Sequence, residues 1–202
     1  IIPLLEKYRI RLAIENHCVE TMSEIMELVN KLDSPWIGVL FDICNTLPAW
    51  EDPMDAAEKC AGKIFAVHVR DEVICTNGVD NGLVITSTPI GKGNIDIKSV
   101  CNYVLDHTTL DRMILEISFP FTTTFQRVPG TGGVTDVGQG AFEIKSPPFA
   151  IDKIKPNDYY LYEGELLDDF IERQLESVRS GLQYMKNFRE EYMKNKSRLA
   201  AL

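Results

Sequence analysis

The chain has 202 residues, 45% hydrophobic and 25% charged, which is enough apolar content for a sizeable core. A formal net charge of -9 disfavours nucleic acid as a partner, because a polyanion asks for a basic face. No run approaches the ~18 apolar residues of a membrane span, and the opening "IIPLLEKY" has neither the basic region nor the cleavage site of a signal peptide.

In chain order, residues 2 to 8 read as the end of a helix and Leu12 to Glu15 as a strand. The chain opens inside that helix and without Met, so the expectation is that an N-terminal portion is missing. Residues 22 to 32 set Met22, Ile25, Met26, Leu28, Val29 and Leu32 on one helical face, and Ser34-Pro35 breaks it. "WIGVLFD" is apolar on both faces, as a parallel strand covered by helices requires. Residues 52 to 61 predict a short helix with Asp52 as N-cap, Pro53 at the first position and Gly62 at the end. "IFAVHV" is a third strand, "DIKSVCNYVLDH" a helix and "RMILEIS" a fourth strand. This alternation predicts an α/β fold of parallel strands with crossover helices. Residues 72 to 93 interrupt it, and two Asn-Gly pairs between β-rich runs predict a hairpin-like insertion in one βα loop. Residues 120 to 163, rich in Pro and Gly, read as a long irregular loop. From Glu165 to about Asn195, Leu167, Phe170, Ile171, Leu175, Val178, Leu182, Met185 and Phe188 recur at helical spacing, with Leu166 ahead of them, as one long amphipathic helix. Its apolar stripe is core or a subunit contact. The five cysteines, an odd number without CxxC spacing, read as reduced thiols of a cytoplasmic protein.

The strand ends carry the chemistry. The four strands end at Glu15, Asp42, His68 and Glu116, spaced by 27, 26 and 48 residues. The first two steps match one βα unit each, and the third matches one unit plus the insertion. Parallel strands in register bring these ends to one rim, which in a (β/α)8 barrel is where active sites sit. The phase agrees as well: each polar residue shares a face with the residue two before it, Ala13, Leu40, Ala66 and Ile114. A lone glutamate there is ordinarily a loop-facing charge, and a lone histidine a hydrogen-bonded core residue. Four inward-pointing groups together need a shared partner, because buried charges must be paired or metal-bound. Three carboxylates and one imidazole suit a divalent ion such as Mn²⁺, Mg²⁺ or Co²⁺, with Zn²⁺ compatible. His17, two after Glu15, is placed either to touch a substrate or to support its loop. Arg70 shares the phase of His68 and suits an anionic or hydroxyl group, with Asp71 to orient it or pair with it at the rim. "GKGNID", Gly91 to Asp96, either cradles a phosphate on backbone N–H groups or simply caps the next helix.

At these residues the sequence resembles the xylose-isomerase-like TIM-barrel superfamily of sugar phosphate isomerases and epimerases, with tagatose epimerase, inosose dehydratase and endonuclease IV among its members. "LAIENH", "GVLFDICN", "VHVRD", "PIGKGNID" and "ILEIS" resemble, in order, the motifs of its last four strands and of the loop before the last helix. The resemblance covers about residues 5 to 118. It implies that residues 1–120 are the C-terminal half of a (β/α)8 barrel, strands five to eight, followed by a loop over 121–163 and a helix over 164–202 that packs on the barrel or a partner. The first four strands are then truncated, or supplied by another segment or chain, for instance in a homo-oligomer, since open sheet edges need cover. It further implies that Glu15, Asp42, His68 and Glu116 hold one divalent ion, Mn²⁺ foremost. The implied activity is that of an isomerase or epimerase on a sugar or sugar derivative, in which Glu15 and Glu116 exchange protons beside a metal-polarised carbonyl through an enediolate. The same chemistry with a departing group gives a lyase or dehydratase, and a non-catalytic sugar-binding barrel is the alternative outside catalysis. Asn45 stands where several members carry a histidine; it can hydrogen-bond a sugar hydroxyl but is a poor metal ligand. That departure speaks against a multinuclear zinc site and an endonuclease.

Overall fold

The computed structural model describes residues 1–77, 82–127, 149–156 and 167–199. The chain runs through α1 (Ile2–Tyr8), β1 (Leu12–Glu15), α2 (Met22–Leu32), β2 (Ile37–Asp42), α3 (Pro53–Cys60) and β3 (Ile64–Val69). It continues through β4 (Asp71–Thr76), β5 (Leu83–Thr88), α4 (Ile97–His107), β6 (Ile114–Leu115), β7 (Thr122–Thr124) and α5 (Leu167–Leu199). Local chemistry sets the helix starts. Thr21 and Glu24 form a capping box on α2, Asp52 accepts the N–H groups of Met54 and Asp55 ahead of α3, and Asp96 accepts that of Ser99 on α4.

β1, β2, β3 and β6 form one parallel sheet in that order, the α/β half barrel expected. The residues of β2 and β3 that face the helices, Val39, Phe41, Val67 and Val69, are fully buried among Met22, Val29, Ala56, Ala57, Cys101 and Val104. Each such side chain contributes about 1.5–3 kcal/mol by leaving water. α5 closes this layer with Tyr184, Met185, Phe188 and Tyr192, and Gly181 lies beside Leu115 and Ile117. The opposite, inner face of the sheet is less covered, and Ile114 is 47% exposed. β6 is shorter than "RMILEIS" suggests; it has one neighbour among the described residues, and one further bond, from Glu116 N–H to the Val69 carbonyl, extends the pairing.

The expected insertion is a second, antiparallel sheet in the order β4-β5-β7. The turn expected from the Asn-Gly pairs falls on 78–81, which lie outside the described residues. β7 and a bridge from Lys155 to Cys75 fasten both described stretches of 121–163 to this hairpin. The irregular loop expected there therefore begins with a strand, and its glycine-rich part lies outside the described residues. All five cysteines are free thiols, and among the described residues no helix is long and apolar enough to cross a membrane.

One irregularity decides which face His68 takes. Val39 pairs with Ile64, but Leu40 pairs with Ala66, so Phe65 is an extra residue in β3. Continued without that bulge, the register would set Asp42 opposite Val67 and turn His68 to the helix side. Gly38 makes the bulge possible: a Cβ there would lie 2.4 Å from the Lys63 carbonyl oxygen and 2.7 Å from the Phe65 ring. Gly38→Ala is therefore expected to cost about 1–3 kcal/mol, read as a lowered urea midpoint at unchanged m-value.

Candidate metal centre

Register brings the four strand ends together. Glu15 pairs with Leu40, Asp42 with His68, and His68 with Ile114. Asp42 and Glu116 thus each stand two residues beyond a paired position, which preserves the face. One ligand atom from each of Glu15, Asp42, His68 and Glu116 lies within 4.8 Å of all the others. That is the span of two opposite ligands on a shared divalent ion, whose metal–oxygen bonds are about 2.0–2.6 Å.

His68 Nδ1 is the hub. It lies 2.6 Å from Glu116 Oε2, 3.2 Å from Glu15 Oε1 and 3.9 Å from Asp42 Oδ2. His68 Nδ1 and Glu116 Oε2 are both buried, yet neither makes a hydrogen bond among the described residues. Ligand atoms that converge without a hydrogen bond between them fit a cation in their midst, and three carboxylates with one imidazole are a hard-to-borderline set for Mn²⁺, Mg²⁺ or Co²⁺. Glu15 and Glu116 keep 35% and 40% of their side chains exposed, whereas Asp42 keeps 1%. The two glutamates open to the mouth and the aspartate anchors the base.

Asp42 is held from several sides. Its backbone N–H and carbonyl bond the Asn16 side chain at 2.9 Å each, so a buried amide extends the β1–β2 ladder by one step. Its Oδ1 accepts the N–H groups of Cys44 and Asn45. Arg70 Nε donates to Oδ1 at 3.2 Å and to Oδ2 at 3.0 Å. Arg70 Nη1 donates to Glu72 Oε1 and Ser118 Oγ, both at 3.0 Å, and Nη2 donates to Asn45 Oδ1. Asn45 and Arg70, expected at a substrate, are thus buried and engaged with their own chain. Cys18 Sγ also bonds Asn45 Oδ1 at 3.0 Å, and His17, exposed at the rim, sets Nδ1 3.3 Å from Asn45 Nδ2. Burial pushes the Cys18 thiol up to about 11 and the Glu72 carboxyl up to about 8, the latter against the pull of Arg70.

Asp71 and the glycine motif meet each other. Asp71 Oδ2 accepts the N–H groups of Gly91 at 2.9 Å and Gly93 at 2.8 Å, and Oδ1 accepts that of Glu72 at 2.9 Å. A protein carboxylate fills the cradle, so the phosphate expectation for Gly91–Asp96 is corrected in favour of the simpler one: Asp96 caps α4. Asp71 neither orients Arg70 nor pairs with it.

Sequence reading misses Asn16, Glu72 and Ser118. For Glu72 a signal exists: His68, Arg70 and Glu72 alternate at period two, so one face continues from β3 into β4. Asn16 and Ser118 carry no such signal.

A partial parallel barrel with an acid–imidazole cluster on the C-terminal rim of its strands defines the class. The profile described as xylose isomerase-like TIM barrel matches residues 1–123, and the chain belongs to that family. It is similar to 3-oxo-isoapionate decarboxylase of Pectobacterium atrosepticum, 25% identical over 96 residues, covering 48% of this chain and 35% of that protein. It is also similar to uncharacterized protein YihM of Escherichia coli strain K12, 28% identical over 92 residues, covering 46% of this chain and 28% of that one. A crystal structure of a D-tagatose 3-epimerase-like protein aligns with TM-score 0.44 and 27% identity, covering 57% of this chain and 43% of that one. The chain spans about a third of the length of the curated relatives it matches.

Proposed function

We propose that this chain carries the metal-binding half of a sugar isomerase or epimerase. The observation that supports this most directly is the approach of His68 Nδ1 and Glu116 Oε2 to 2.6 Å without a hydrogen bond between them, with Glu15 and Asp42 in the same cluster. A divalent ion held by these four side chains, Mn²⁺ foremost, would supply Lewis acidity that polarises a substrate carbonyl and acidifies the neighbouring C–H. Glu15 and Glu116, the partly exposed pair, act as base and acid: one takes the proton and the other returns it. Asp42, locked by Arg70 and Asn16, keeps the ligand set in place. His17 at the rim is placed to meet a substrate hydroxyl, and Asn45 steadies His17. The partly exposed inner face supports completion of the barrel by further strands, from another segment or a second copy.

The similarity to a decarboxylase favours one alternative, bond cleavage on the same site with loss of a leaving group. The test is metal analysis and Mn²⁺ titration of the purified chain, then ketoses in D₂O followed by NMR and product mass. The expected result is one bound divalent ion and solvent-exchanged deuterium in a product of unchanged connectivity. Glu15→Gln and Glu116→Gln are expected to lower the exchange rate at least 100-fold, the scale of a positioned acid or base. Absence of both metal binding and exchange overturns the reading, and loss of mass moves it to a lyase.

A further inference from the structure

We infer that Glu72, contributed by the inserted hairpin, is a positioning residue for the metal centre, holding the Arg70 guanidinium so that only its Nε edge reaches Asp42. This rests on the reading of Glu15, Asp42, His68 and Glu116 as a metal centre. The geometry is that of a guanidinium whose terminal nitrogens are drawn away from the ligand. Nη1 is taken by Glu72 and Ser118 and Nη2 by Asn45, so Nε alone remains for Asp42. Asp42 Oδ2 consequently keeps a side open toward His68 Nδ1, 3.9 Å away. A free guanidinium prefers the two-pronged grip on a carboxylate, with two parallel N–H donors on its two oxygens. That grip would give each oxygen its own N–H donor in place of the single Nε–H that Oδ1 and Oδ2 now share, and so compete more strongly with a cation for Oδ2.

Glu72 is suited to prevent this. It is fully buried, and its Oε2 has no hydrogen-bond partner among the described residues, so the carboxyl is held chiefly by Arg70. Its backbone is paired to β5, opposite Ser87, whose Oγ is likewise buried and unbonded. The second sheet is therefore not an ornament on a βα loop: its first strand reaches the metal cluster through Glu72, Arg70 and Asp42. Partners of this kind, one step removed from a metal, are worth about 10–100-fold in metal affinity.

The experiment uses the full chain and two readouts, Mn²⁺ affinity by titration calorimetry and hydrogen-exchange protection of the Arg70 Nε–H by ¹⁵N NMR without metal. Glu72→Leu removes the acceptor and is expected to weaken Mn²⁺ binding about 10–100-fold and to lose the Nε–H protection. Glu72→Gln keeps an amide oxygen facing Nη1 and is expected to stay within about threefold of the parent, as charge-independent positioning implies. If Glu72→Leu fails to fold, Glu72→Asp, whose carboxylate is drawn back by one methylene, is expected to show the same two losses. Unchanged protection and affinity in Glu72→Leu or Glu72→Asp, or equal losses in Glu72→Gln, overturn the inference. A parent that binds no Mn²⁺ overturns the metal reading instead, and the Nε–H protection then decides on Glu72 by itself.

Discussion

Arg70→Met is expected to lower the stability of the chain by about 3–5 kcal/mol, the scale for removing one partner from a buried ion network. Arg70, Asp42 and Glu72 are all buried, and among the described residues the guanidinium is the only permanently charged cation within ion-pair distance of either carboxylate. Without it Asp42 loses its guanidinium counter-charge, the Glu72 carboxyl, pushed up to about 8 by burial, loses its donor, and Asn45 Oδ1 and Ser118 Oγ lose one as well. The loss is a large share of the ~5–15 kcal/mol that holds a typical domain together. Arg70→Lys should recover only part of it, since one ammonium cannot place donors on Asp42, Glu72, Ser118 and Asn45 at once. The double variant Arg70→Met/Glu72→Leu should be less unstable than the sum of the two single changes, because the second removes a buried carboxyl that the first leaves without its donor. Urea unfolding of the four proteins measures this. An Arg70→Met midpoint close to the parent would show that water, and not the guanidinium, satisfies the two acids.

Some of this was legible in the sequence because the signals were local and periodic. The strand ends at Glu15, Asp42, His68 and Glu116 could be read from apolar runs that stop on a polar residue, and the βα spacing placed them on one rim. α5 could be read from its 3.6 period, and α3 from Asp52 and Pro53. What escaped depends on contacts between distant residues. The bulge at Phe65 was invisible, because the apolar run from Ile64 to Val67 looks the same with or without an extra residue; the reading of His68 as inward-facing needed that bulge without foreseeing it. β7 is three threonines, with too little pattern to announce a strand, and it exists because β5 offers it an edge. The glycine motif reads from sequence as either a phosphate cradle or a helix cap, whereas the acceptor that the Gly91 and Gly93 N–H groups hold is a carboxylate some twenty positions earlier. The chemistry of Arg70 and Asn45 points to a substrate. Only their burial and their bonds to Asp42, to Glu72 and to each other place them beneath the mouth.

That cradle yields the second large expected effect. In Gly93→Ala the new Cβ would lie 2.1 Å from Asp71 Oδ1 and 2.2 Å from the Glu72 carbonyl oxygen. Neither atom is free to retreat. The Asp71 carboxylate is tied by the N–H groups of Gly91, Gly93 and Glu72, and the Glu72 carbonyl accepts Asn94 N–H at 2.8 Å. Burial already pushes the Asp71 carboxyl up to about 6, against those same N–H groups, so displacing the loop strips bonds from a group that is costly to bury. Each buried polar group left without its partner costs about 1–3 kcal/mol, and at least two are disturbed. A total of roughly 3 kcal/mol or more is expected, with Lys92→Ala on the exposed neighbour within about 0.5 kcal/mol of the parent. The damage should be local at first. Asn94 also accepts the Ile74 N–H on β4, and a side chain at Gly91, whose φ is +84°, would strike the Tyr184 ring on α5. The loop is therefore the joint between the second sheet, α4 and α5. Amide exchange in Gly93→Ala should speed up in β4 and in the first turn of α4 before it does so in β1 and β2. Uniform acceleration would mean that the two sheets unfold as one unit and the joint is not separable from the barrel. Inorganic phosphate, which would protect a genuine phosphate cradle, should leave the exchange rates of Gly91 and Gly93 unchanged in the parent, because Asp71 already occupies the place that an anion would take.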